Sequence, residues 1–347
     1  VVEFDALRTL SAQVGADPLL VQGPGGNTSV KDGDVMWIKA SGTWLRDALT
    51  SDIFVPLDHS TLLAALSRND PACETSMEFL RRDLNAAGLR PSIETTLHAV
   101  MPQRVVVHVH CVKTIAVAVR RNLEDILAER LEGLNWCHVP YFRPGLPLSR
   151  GMMDRMSPAT DVVILGNHGL VVAAGSVGEA GALLRMVSVR LAAPAREVPP
   201  PDLEKLAELA HGSSYRLPRM PKAHGVATDP ENLHFARSGS LYPDHVIFLG
   251  PGSVVVDDAR PVTAVERDYG AAGLPAPVSL LYPGLGLLVR QDASAGAEAL
   301  ARCLADVTSR IPAGAAVNTL TDADNAALLN WDAEKYRQQL NLSARKG

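Results

Sequence analysis

With 347 residues, a formal net charge of −5, and 47% hydrophobic against 20% charged residues, the chain has the balance of a globular protein with room for two domains. That charge, without a basic cluster, argues against nucleic acid or an anionic membrane as the main partner. Cys73, Cys111, Cys137 and Cys303 lack C-x-x-C spacing, no apolar run reaches the length of a membrane span, and the opening Val1-Val-Glu-Phe-Asp is not a signal peptide, so reduced thiols in a cytoplasmic protein are expected.

Residues 3–15 space Phe4, Leu7, Leu10 and Val14 as a helix, with Gly15 as its stop. Gln22-Gly-Pro-Gly-Gly-Asn-Thr-Ser-Val30, Asp32-Gly-Asp34 and the alternating Val35-Met-Trp-Ile38 predict a Gly-rich turn and a hairpin that ends at Lys39-Ala-Ser-Gly42. Glycines beside Asn and Thr/Ser can expose a nest of N–H groups suited to phosphate or carboxylate; the same residues also suit an ordinary hairpin. A strand is expected at residues 53–57 and an amphipathic helix at 73–88. Ser92, after Pro91, is a good N-cap for a short helix with Glu94 in its first turn, where the dipole favours a carboxylate, and His98 one turn on.

The run Val105-Val-Val-His108-Val-His110 follows. Strand alternation turns His108 and His110 to one face, which makes half of a metal site. A helix is expected over 114–130 and an irregular Pro-rich segment over 136–145. Then Val162-Val-Ile-Leu-Gly-Asn-His-Gly-Leu-Val-Val172 sets a polar, glycine-flanked His168 between two apolar runs, the best candidate for a third ligand. A helix over 176–191 completes the unit. Short strands mixed with helices, some in hairpins, predict an α/β sandwich with a mainly antiparallel or mixed sheet. Three histidines leave open positions on a divalent ion, the pattern of a catalytic site that stabilises an enediolate, with Glu94 as base or acid and Lys39, Ser41 and the Gly-rich loop as an anion grip.

Four prolines over 192–201 mark a linker. The expected division is a catalytic domain over 1–192, a Pro-rich linker over 193–201, and a smaller C-terminal α/β domain over 202–347 without metal ligands. In the latter, helices are expected near 202–211, 293–310 and 321–341, and strands at 245–249, 253–256 and 278–289. Gly166–Val172 can be laid without a gap on Pro283–Val289, with Leu285 at the position of His168; this reads either as a degenerate copy of part of the first domain or as a common strand-turn-strand-helix unit whose Gly, Leu, Val and Ala match easily. His211, His224, His234 and His245 lack ligand spacing.

Taken together, Gly-Gly-Asn-Thr-Ser, Lys-Ala-Ser-Gly, Pro-Ser-Ile-Glu, His-Val-His and Gly-Asn-His-Gly-Leu, in this order and spacing, resemble the class II aldolase/adducin family, within it the L-fuculose-phosphate and rhamnulose-phosphate aldolases, over roughly residues 5–190. The resemblance implies Zn²⁺, or another divalent transition metal, on His108, His110 and His168, with Glu94 as acid/base. It implies a phosphate site lined by Gly26, Asn27, Ser41, Gly42 and Ser92, and Tyr141 as the tyrosine that helps protonate the aldehyde oxygen from a neighbouring subunit of a homo-oligomer, commonly a tetramer. The implied activity is reversible aldol cleavage of a ketose phosphate or related hydroxy-keto sugar derivative. Decarboxylation or epimerisation of a sugar acid shares the enediolate, and a non-catalytic adducin-like binding module is the reading from another class. Ile93 stands where the smaller aldolases have a second Ser, which removes one hydroxyl donor. The C-terminal region resembles the central part of longer sugar-aldolase proteins that continue into a dehydrogenase domain; no Gly-x-x-x-Gly-x-Gly loop is present here, so no dehydrogenase activity is expected.

Overall fold

A computed structural model describes residues 3–331, which form two compact units. The first holds residues 3–118, 122–192 and Trp331; the second holds 119–121 and 193–330.

In the first unit the elements run α1 (Phe4–Ala16), β1 (Asn27–Asp32), β2 (Val35–Lys39), β3 (Phe54–Asp58), α2 (His59–Ser67), α3 (Thr95–Val100), β4 (Val105–Val109), α4 (Val112–Ala118), α5 (Leu123–Arg130), β5 (Trp136–Val139), α6 (Leu146–Arg155), β6 (Val162–Leu165), β7 (Gly169–Ala174) and α7 (Val177–Arg190). The seven strands make one sheet in the order β3-β2-β1-β4-β7-β6-β5, antiparallel except where β5 joins β6. The expected mixed, mainly antiparallel sheet is therefore present.

Strand alternation divides the core. Val105, Val107 and Val109 of β4 face one layer with Leu7, Leu10 and Leu184 from α1 and α7. Val106 faces the opposite layer, with Leu97 of α3 and Leu148 and Met152 of α6. His108 shares parity with Val106, so it projects into that second layer at the end of a buried strand.

Several expectations are corrected. No α-helix forms over 73–88: two short 3-10 turns, Pro71–Glu74 and Met77–Phe79, are separated by Ser76 in the left-handed region at φ 54°, which ends any helical run. The helix expected over 114–130 is two, α4 and α5, interrupted at 119–122. Trp136–Val139 is not irregular but the edge strand β5. Gly15 is no stop signal: it lies inside α1, and a Cβ there would sit 2.2 Å from the Arg46 nitrogen, so glycine is required by close backbone packing.

The second unit contains α8 (Leu203–Ala210), β8 (Tyr215–Arg216), α9 (Gly225–Thr228), α10 (Pro230–Arg237), α11 (Pro243–Leu249), α12 (Val262–Ala271), β9 (Ser279–Tyr282), β10 (Gly286–Arg290), α13 (Ala295–Thr308) and α14 (Asp322–Leu329), with an antiparallel sheet β8-β10-β9. The expected strand at 245–249 is instead α11, started by Pro243 in its first turn. Residues 253–256 contribute only an isolated bridge, Val255 to Leu281. The helix expected over 321–341 is α14 as far as Leu329, and residues 332–341 of that expectation lie outside the described residues. The Pro-rich stretch is anchored rather than free: the Arg196 guanidinium donates to the Thr308 carbonyl at 2.8 Å and to Asn232 Oδ1 at 2.5 Å.

The two segments aligned in the sequence have matching turns. Asn167 and Gly284 occupy the same turn position and both have positive φ, 52° and 73°. The next residue closes each turn in the same way, His168 N–H to the Leu165 carbonyl at 3.1 Å and Leu285 N–H to the Tyr282 carbonyl at 3.0 Å. Each second strand then leads to a 14-residue helix capped by serine, Ser176 before α7 and Ser294 before α13.

Candidate metal centre

Three pieces of backbone bring Glu94, His108, His110 and His168 together. β4 delivers His108, and His110 follows just beyond its end. The β6–β7 turn presents His168, because β7 pairs beside β4 with His108 opposite Val171 and Val109 opposite Leu170. Glu94 sits at the N-cap position of α3, on the layer that His108 faces. One ligand atom from each of the four lies within 4.8 Å of every other, and all four residues are buried.

Glu94 Oε1 is 3.4 Å from His108 Nε2 and 3.3 Å from His168 Nε2. Ligands on a tetrahedral ion with bonds of about 2.0–2.1 Å are separated by about 3.3–3.4 Å, so these spacings fit the edges of such a polyhedron. His108 Nδ1 lies 3.1 Å from the Leu170 carbonyl, which can only accept. The proton of a neutral ring is thereby fixed on Nδ1 and the lone pair of Nε2 faces the cluster. The ring centroids of the three histidines are 5.0–5.1 Å apart, tilted or edge-on to one another. Three nitrogens and one carboxylate oxygen are a donor set for a divalent transition metal, and the cluster can hold one.

Burial alone would push the Glu94 carboxyl up, but the charge and hydrogen bond of His108, with the charges of His168 and His110, outweigh it and hold it well below the usual range. The other carboxylate oxygen, Oε2, accepts a hydrogen bond of 2.8 Å from the buried Asn27 amide. Asn27 is the cross-strand partner of His108 in the β1–β4 register. His98, one helical turn after Glu94, is turned away into a hydrogen bond of 2.7 Å between its Nδ1 and Ser29 Oγ. Burial and the neighbouring His108 hold its ring well below the ordinary histidine value.

Gly26, Asn27, Ser41, Gly42 and Ser92 line one pocket with Glu94. Gly26 cannot be replaced there, because its φ is +65° and a Cβ would lie 3.0 Å from the His108 carbonyl oxygen. Gly42 is also left-handed, at φ 76°. Ser92 is not the helix cap expected: Glu94 holds that position, and Ser92 Oγ accepts the Glu94 N–H at 3.2 Å, which shapes the approach to α3. Tyr141 is half-buried in the loop after β5, and its backbone nitrogen lies 3.1 Å from where a Cβ of Gly166 would stand, so this loop backs the turn that carries His168.

Two features escape a reading of the sequence. The link from Asn27 to Glu94 joins residues 67 positions apart, and only the strand register, which sets Asn27 across from His108, could have pointed to it. Lys39, expected as an anion ligand, gives its ammonium to the Pro24 and Thr43 carbonyls at 3.0 and 2.8 Å.

The sequence profile of the Class II Aldolase and Adducin N-terminal domain matches residues 10–192. The Bacillus subtilis protein "Uncharacterized oxidoreductase YuxG" is 31% identical over 170 residues, 46% of this chain, and the chain spans only 24% of that protein's length. Similar solved structures include the N-terminal class II aldolase domain of a conserved protein from Thermoplasma acidophilum, 29% identical over 55% of this chain and 92% of that one, with a TM-score of 0.48. Another is L-fuculose-1-phosphate aldolase from Thermus thermophilus, 16% identical over 54% and 90%, with a TM-score of 0.37. With a profile match across more than half its length, on the segment that carries the histidine cluster, the chain belongs to the class II aldolase and adducin N-terminal domain family.

Proposed function

We propose that the protein is a metal-dependent aldehyde-lyase that reversibly cleaves a ketose phosphate or a related hydroxy-keto sugar derivative. The observation that carries this reading is the buried Glu94, His108, His110 and His168 cluster beside a pocket lined by backbone turns and small polar side chains. His108, His110 and His168 would hold Zn²⁺ or another divalent transition metal, with Glu94 close enough to share it before substrate arrives. A metal in this position supplies Lewis-acid polarisation of a substrate carbonyl.

The chain's own groups do the rest. Glu94 takes or returns the proton at the reacting carbon or hydroxyl, and Asn27 keeps its carboxylate turned toward the cluster. Gly26, Asn27, Ser41, Gly42 and Ser92 hold the phosphate with backbone N–H groups and hydroxyls. The family resemblance supports Tyr141 as the proton donor to the leaving aldehyde oxygen, reaching a neighbouring subunit of a homo-oligomer. The four cysteines are free, which supports a reducing, cytoplasmic setting.

The test combines metal content with product analysis. Mass spectrometry should find about one divalent transition metal per chain, lost in His110→Ala. Glu94→Gln should keep the metal and lose cleavage of a panel of ketose phosphates. Epimerised or decarboxylated products from the wild type would replace aldol cleavage by that chemistry, and a wild type that takes up no metal would overturn the enzyme reading in favour of a binding module.

A further inference from the structure

Ser29 and Lys31 continue the row that Asn27 begins. These alternate positions of β1 lie on the face that His108 turns to the second layer, since Asn27 stands across from His108 and Ser29 across from Val106. All three reach the same stretch of chain. Asn27 holds the Glu94 carboxylate at 2.8 Å, and Ser29 Oγ lies 2.7 Å from His98 Nδ1. The Lys31 ammonium donates to the Met101 carbonyl and, at 2.9 Å, to the Gln103 carbonyl. A further tie comes from α2, where His59 Nε2 lies 3.0 Å from the Ala99 carbonyl and donates to it, because a carbonyl only accepts. Lys31 and His59 thus take carbonyls at and just beyond the C-terminal end of α3, while Glu94 stands at its other end.

Lys31 is 8% exposed, and taking an ammonium out of water is costly: burial pushes its pKa down to about 7 from 10.5. A methionine would fill a similar volume without that cost, so the carbonyl contacts are what the lysine adds. α3 needs them. It has six residues, and its N-cap Glu94 makes no side-chain cap bond. A helix that short is not stable by itself in water, so its place is set by what grips it. It is also only about 9 Å long, so a shift at one end is carried to the other. We propose that Lys31 is a positioning residue for Glu94: with His59 it clamps the C-terminal end of α3 and so fixes the carboxylate at the opposite end against the histidines. Asn27 turns the carboxylate, and Lys31 holds the helix on which it stands. This rests on reading Glu94 as the group that shares the metal and moves the proton.

The clamp can be read without a substrate, on the full chain. In Lys31→Met, amide exchange over 95–103 should quicken by at least about tenfold, with β4 and β7 exchanging as in the wild type. The second readout is the visible spectrum of the protein loaded with Co²⁺, which reports the ligands around the ion. At equal cobalt content, the bands of Lys31→Met should move from those of the wild type toward those of Glu94→Gln. Unchanged exchange over 95–103 overturns the proposal. So does exchange that quickens equally across β4 and β7, which would mark Lys31 as a structural residue only, and so does a cobalt spectrum identical to that of the wild type. If Lys31→Met does not fold, His59→Ala, which removes the half-buried partner of the clamp, takes its place with the same expected and overturning outcomes. A wild type that takes up no cobalt would refute the metal-dependent reading alone, since exchange over 95–103 still decides the clamp.

Discussion

Asn27 donates its side-chain amide to Glu94 Oε2 at 2.8 Å, while the other oxygen of the same carboxylate faces His108 and His168. The carboxylate is thus held at both ends, and its free rotation is removed before a substrate binds. A buried carboxylate that loses such a donor forfeits about 1.5–3 kcal/mol of orientation and solvation. Asn27→Ala should therefore slow turnover by about ten- to a hundredfold with metal content retained. Asn27→Asp should do more harm, since a second carboxylate against Glu94 pushes its proton affinity up. Steady-state rates beside metal analysis check this, and full activity in Asn27→Ala would remove Asn27 from the machinery.

Gly169 follows His168 directly and packs against the end of β4. A Cβ there would lie 2.5 Å from the Val109 carbonyl oxygen and 3.4 Å from His110 Cα, backbone that cannot swing aside. Gly169→Ala must spread β4 from β7 at the place where three of the clustered side chains originate. The expected cost is about 2 kcal/mol of stability, accompanied by weaker metal binding. Gly178, in the first turn of α7, is the control: a Cβ there meets nothing within 4 Å, so Gly178→Ala should be neutral or stabilise by up to about 1 kcal/mol. Denaturant midpoints with and without added zinc distinguish the two, and an unperturbed metal affinity in Gly169→Ala would show that the strands can give.

The histidines are legible in the sequence because their signal is local. A β-branched strand fixes the parity of His108 and His110, and the Asn-His-Gly interruption of an apolar run marks a turn that carries a side chain inward. What escapes is set by partners distant in sequence. Trp136–Val139 becomes a strand because β6 offers it a parallel edge, which no spacing within the segment records. Residues 73–88 have helix-like apolar spacing, yet Ser76 adopts a left-handed conformation that composition does not announce. The run at 245–249 misleads for another reason: a short apolar stretch does not by itself separate strand from buried helix. Pro243 at the helix start is the discriminating signal. Lys39 belongs to the expected pocket but makes a different contact, since the carbonyls that take its ammonium lie in loops whose approach only the fold defines.

His245 offers a pH test of the second unit. Its ring is fully buried on α11, Nδ1 accepts the Leu241 N–H at 3.3 Å, and Nε2 lies 3.2 Å from the Gly252 carbonyl, to which it donates. Both nitrogens are satisfied only in the neutral form, because a second ring proton would point at the Leu241 donor. Burial accordingly pushes the pKa down to about 4 from 6.5. The folded value lies below the unfolded one, so between these limits the unfolded chain binds a proton that the folded chain refuses. Stability from this group is complete above pH 6.5, is lost as pH falls toward 4, and changes no further below that, for a total of about 3 kcal/mol. Urea unfolding followed across this window should show a shallower loss of stability in His245→Gln than in the wild type. Carboxylates that titrate in the same range contribute to both proteins and cancel in the difference, so identical slopes would mean that the folded state accommodates the charged ring.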